Sequence, residues 1–139
     1  MFDVKKLLLD VFDPQPGEVV TFAVDLPRDD IPDHESWSAR RAMAERWRDA
    51  MAEIASERNF EVRPMLNFAA TGANNADLPA KGKVGDEEVD LREAMLGSTL
   101  VIAMTQFSAT APLCALSEKK TDFRAASMPA IPPPTTSTS

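Results

Sequence analysis

Two stretches of this chain, "VVTFAVDL" at 19–26 and "TLVIAMT" at 99–105, are of strand length and apolar almost without interruption. A strand that alternates apolar and polar residues can leave one face in water, whereas a strand apolar throughout must be covered on both. The cover available in the sequence is helical. "MFDVKKLLLDVF" reads as an amphipathic helix. From about Trp37, residues Met43, Trp47, Ala50 and Ile54 recur at spacings of four, three and four, one stripe of a long helix. Arg40, Arg41, Arg48 and Glu45 are expected to face elsewhere.

Between helices and strands the punctuation is clear. "DPQPGE" is a Pro/Gly turn that releases the first strand, and "PRDDIPDHES" is a charged loop. "FEVRPMLNFAA" reads as the second strand, where Pro64, which cannot donate to a ladder, implies a sheet edge or an irregular start. "TGANNADLPAKGKVGDEE" reads as a long loop. Asp90 and Glu93 have capping-box spacing for a short helix "LREAML" stopped by Gly97. Thr110 is expected to cap a helix with Pro112 in its first turn, running through "LCALSEKK", and "FRAASM" is the fourth strand.

Strands alternating with helices predict an α/β fold. The expectation is a small three-layer sandwich, flavodoxin/Rossmann-like, with a mostly parallel sheet of about four strands in the order 2-1-3-4. At 139 residues, 44% of them hydrophobic, the chain suits one folded domain, expected over 1–131, with "PPPTTSTS" at 132–139 as a disordered tail.

Charge narrows the partners. Fifteen basic against 22 acidic residues give a net charge of −7, which argues against nucleic acid and anionic membrane surfaces. No stretch approaches the roughly 20 apolar residues that span a bilayer. One cysteine, Cys114, allows no intramolecular disulfide, and a cytoplasmic setting is expected. Cys114, Met43, Met51, Trp47 and Met95 are expected in the core.

Catalytic motifs are scarce. There is no G-x-G-x-x-G, no G-x-x-x-x-G-K-[ST] and no G-x-S-x-G. Any nucleophile–histidine pair would have to pass through His34, the one histidine, which reads as solvated or capping. Asp29, Asp30, Asp33 and Glu35 could hold a hard cation, but the favoured reading is a solvated loop with its carboxylates near the long helix's N-terminus. The ligand-binding candidates are polar residues at the carboxyl ends of the strands: Asp25, Asn67, Thr71, Asn74, Asn75, Thr105, Gln106 and Ser108. In an open α/β sheet these ends share the rim where ligands bind, although caps and turns use the same residue types.

The leading helix, the "PGE" turn into an apolar strand, and "VIAMTQFSAT" followed by "RAASMPAI" together resemble the N-terminal domain of the thermophilic-type metalloaminopeptidases, the aminopeptidase T-like leucyl aminopeptidases and their relatives. The resemblance covers about residues 4 to 131, with Met128-Pro129-Ala130 where the family has a Met-Pro-Gly-like step. It implies that the catalytic apparatus, a two-metal centre of Glu, His, Asp and Tyr ligands, lies in a C-terminal half. This chain has no tyrosine and one histidine, so no catalytic or metal-ligating residue is assigned and no cofactor is expected in it. The tail then reads as a replacement end, with a natural disordered terminus as the alternative. The expected function is that of an aminopeptidase-related α/β domain that is non-catalytic alone. The alternatives are a stand-alone binder of a small metabolite and a self-association module, with a small molecule or peptide and a second copy of the chain as the corresponding partners.

Overall fold

Val20, Phe22 and Val24 alternate along one side of the first strand and Thr21, Ala23 and Asp25 along the other, and all six are buried, so helices must cover both faces. The structure, a computed structural model, describes residues 4–72, 76–106, 110–118 and 123–127. In chain order these form α1 (Val4–Phe12), β1 (Val19–Leu26), α2 (Glu35–Arg58), β2 (Glu61–Val62), β3 (Leu66–Ala69), β4 (Lys81–Val84), β5 (Glu87–Asp90), α3 (Leu91–Leu96), β6 (Leu100–Ala103), α4 (Thr110–Ser117) and β7 (Arg124–Ser127). The expected tail at 132–139 lies outside the described residues.

One sheet runs through the molecule in the order β5-β4-β3-β1-β6-β7, with β2 paired to β1. Its centre is parallel: β3 and β6 flank β1, and β7 follows β6. The sheet departs from the four-strand expectation by being mixed, because β4 pairs antiparallel with β3 and β5 with β4. The stretch expected as a long loop therefore supplies two strands. They turn on the two residues Gly85 and Asp86, with Gly85 at φ 63°, the glycine-first arrangement of a type II′ turn.

The segment expected as strand two is not at the edge, since β4 covers its outer side. Pro64 interrupts it instead. Val20 lies opposite Val62 and Ala23 opposite Leu66, so the partner chain carries one residue more than β1 between these pairs. The proline falls in that break, where no ladder donor is required.

On one face, Leu8 and Phe12 of α1 and Ala44, Trp47, Met51 and Ile54 of α2 pack on Val20, Phe22, Val24, Leu100, Ile102 and Met104. On the other, Leu91 and Met95 of α3 and Leu113 and Leu116 of α4 pack on Ala23, Leu66, Phe68, Val101 and Ala103. Burial of a large apolar side chain contributes about 1.5–3 kcal/mol, so these two clusters are the main source of stability.

Caps set the helix limits. His34 caps α2, and Asn59 ends it in the left-handed region at φ 62° with its N–H on the Ala55 carbonyl. Asp90 caps α3, accepting from the Glu93 N–H at 2.9 Å, as the spacing predicts, and Gly97 follows in a right-handed conformation. Helix α4 begins at Thr110 rather than after it and ends at Ser117.

Two placements differ from expectation. Cys114 is exposed, because Leu113 and Leu116 take the inward face of α4. Arg40 is buried, because Trp37, Arg40, Ala44, Trp47, Met51 and Ile54, spaced alternately three and four apart, form the inward stripe of α2. Met43 is half-buried against that core, and Met51, Trp47 and Met95 lie inside it. Among the described residues no helix is long and apolar enough to cross a membrane.

Candidate functional site

The sheet's order reverses at β1: the chain leaves β1 for β3 on one side and returns through the hairpin and α3 to β6 on the other. The carboxyl ends of β1 and β6 are therefore the switch point at which open α/β sheets usually bind ligands. Asp25 stands there, 1% exposed. Its Oδ1 accepts from the indole Nε1 of Trp37 at 3.0 Å and from the backbone N–H of Gln106 at 2.8 Å. Trp37, itself 1% exposed, also reaches the Asp25 carbonyl oxygen at 3.1 Å.

Arg40 follows one turn later on α2 and is 8% exposed. Burial pulls its guanidinium below the usual arginine value, and the negative charge of Asp25 opposes that pull. Thr105 is wholly buried, two residues beyond Ala103 on the same side of the sheet as Asp25. The Met104 N–H bonds the Ala23 carbonyl at 2.9 Å and carries the β1–β6 pairing up to this point.

An outer ring surrounds Trp37. His34 Nδ1 accepts from the Trp37 N–H at 3.3 Å, and the two rings are 5.8 Å apart. Arg41 lies 5.7 Å from the indole centroid and grips Asp33 with two bonds of 3.1 and 2.7 Å. That grip holds the Asp33 carboxyl below the ordinary aspartate value and raises Arg41. Arg28 does the same to Asp30, and its remaining Nη1 bonds the Ala70 carbonyl at 3.0 Å. Asp30 and Asp33 are thus turned to arginines, a pairing the sequence reading did not anticipate, and His34 takes the capping role, one of the two expected for it.

Of the predicted rim residues, Asp25, Thr105 and Gln106 come together. Asn67 does not join them: it pairs beside Val24, whose side chain packs towards α2, and is half-buried there. Thr71 is half-buried two residues past β3. Asn74, Asn75 and Ser108 lie outside the described residues. Sequence reasoning missed Trp37 and Arg40, whose signal was their position three residues apart on the α2 stripe, directly after the His34 cap.

A hollow of about 370 Å³ opens towards the other end of the sheet, at the start of β3 and beside the β4–β5 hairpin and α3. Thr21, Arg63, Leu66, Val89, Glu93 and Ala94 are among its walls. Thr21 Oγ1 and Ser98 Oγ share a buried hydrogen bond of 2.6 Å behind it.

No protein-family model, no curated protein and no solved structure matches this chain.

Proposed function

We propose that this chain is a non-catalytic α/β domain of the kind implied by its resemblance to the front part of the metalloaminopeptidases. Its role in a complete protein is to support a catalytic half or shape access to it. The observation that supports this reading is the state of the switch-point crevice. A crevice built for chemistry leaves reactive groups facing a substrate, but among the described residues Asp25 and Thr105 are turned into the fold itself, and Gln106 Oε1, which has no hydrogen-bond partner, is buried as well. Asp25 is engaged by Trp37 and Gln106, and Thr105 is 0% exposed.

The domain in this reading is doubly wound around β3-β1-β6-β7, with the antiparallel hairpin as an extension that widens one edge. Divalent metal ions belong to the catalytic half and not to this part. The test is hydrolysis of a leucyl chromogenic substrate by the pure chain, with zinc, cobalt or manganese ions added in turn. No metal-dependent release is expected, and robust release that a chelator abolishes overturns the reading.

A further inference from the structure

We propose that the hollow between α3 and the β4–β5 hairpin is a binding site for a small zwitterion whose two charges are separated by an apolar chain. The volume, about 370 Å³, lies within the roughly 300–1,000 Å³ common for small-molecule sites. Leu66, Val89 and Ala94 offer an apolar surface, Arg63 and Glu93 bring opposite charges to the same walls, and Asp90, which also lines them, is engaged by the Glu93 N–H as the cap of α3.

Neither charge is used elsewhere: among the described residues the Arg63 and Glu93 side chains take part in no hydrogen bond or ion pair. Arg63 is nevertheless well fixed at its root. Its N–H bonds the Val20 carbonyl at 2.9 Å, and its own carbonyl accepts from Arg48 Nε at 2.8 Å. Its Nη1 sits 3.1 Å from the point a Cβ on Gly97 would occupy, so glycine there leaves room for the guanidinium.

Arg63, a half-buried residue whose guanidinium has no partner among the described residues, can grip a carboxylate with two parallel bonds. A simple organic anion would meet the Glu93 charge, and a simple amine would meet Arg63. A molecule with a carboxylate at one end, an ammonium at the other and methylenes between satisfies both and covers the apolar wall. The site lies towards the opposite end of β1 from Asp25, so it stands apart from the crevice and from the support role proposed above.

The probe is 6-aminohexanoate, compared with hexanoate and hexylamine, which carry one charge each. Thermal unfolding of the full chain is expected to shift upward saturably with 6-aminohexanoate. Each one-charge analogue should need roughly ten times the concentration for the same shift, as should 6-aminohexanoate with Arg63→Gln or Glu93→Gln. Ala94→Leu, which narrows the hollow without altering a charge, should weaken the response as well. The proposal is overturned if no saturable shift occurs, or if the shift is the same in all three variants as in the parent chain.

Discussion

Trp37 donates its indole N–H to the Asp25 carboxylate at 3.0 Å and so fastens the first turn of α2 to the carboxyl end of β1. The same oxygen takes the Gln106 N–H at 2.8 Å, which adds the chain beyond β6 to the joint. One buried carboxylate thus joins β1 to the start of α2 and to a segment 81 residues away in sequence. Asp25→Ala strands the Gln106 N–H, leaves the Trp37 indole with the Asp25 backbone carbonyl as its acceptor and removes the negative charge that offsets the burial of Arg40, and it is expected to cost about 3–5 kcal/mol. Asp25→Asn keeps an acceptor oxygen and should cost about 1–2 kcal/mol. Urea unfolding of the two variants checks the ranking.

Glu18 gives the fold a pH dependence. Burial pushes its carboxyl up, but the Gln15 N–H, the Arg124 guanidinium and the Thr99 hydroxyl outweigh burial and hold it below the ordinary value of 4.5. A carboxyl lowered in the folded state binds its proton less readily than in the unfolded chain. Its stabilisation is therefore present above pH 4.5 and fades as the pH falls through the folded value. The stability difference between the parent chain and Glu18→Gln, followed by denaturant titration at falling pH, should shrink below that point.

Gly82 is required by close approach. A Cβ there would stand 2.7 Å from the Asn67 carbonyl oxygen and 2.9 Å from Leu91 Cδ1. Gly82→Ala must push β4 away from β3, and a loss of about 1–3 kcal/mol is expected. A stability equal to the parent's, read from the urea midpoint, would show that the hairpin docks less closely.

Cys114 is exposed on α4. A thiol reagent should therefore modify it in the native chain without prior unfolding, and the reaction rate should not rise as denaturant approaches the transition. A rate that tracks unfolding would place the thiol inside.

Much of this architecture is legible in the sequence because burial leaves a pattern. "VVTFAVDL" and "TLVIAMT" have few polar residues to misplace them, and the Asp90/Glu93 spacing marks α3. The order of β3, β1, β6 and β7 follows from connectivity alone. The hairpin was hidden for a physical reason. Lys81 and Lys83, with Glu87 and Glu88, are exposed, and the inward positions include Gly82, which adds no apolar signal. The Gly85-Asp86 pair was the available clue. Arg40 was missed because a charged residue breaks an apolar stripe on paper, whereas in the fold the nearby Asp25 charge compensates part of its burial. The hollow was not legible, since it depends on that hairpin meeting α3 and the break at Pro64.

Among the described residues, Asp25, Trp37 and Thr105 fill the switch-point crevice with buried side chains. Amide hydrogen exchange at Gln106 reads this closure, because this N–H has Asp25 Oδ1 as acceptor at 2.8 Å. Exchange as slow as in the buried strands β1 and β6 is expected, with much faster exchange in Asp25→Ala under conditions where that variant remains folded. Exchange at Gln106 in the parent chain as fast as in an exposed loop would mean that the crevice stands open, and would contradict it.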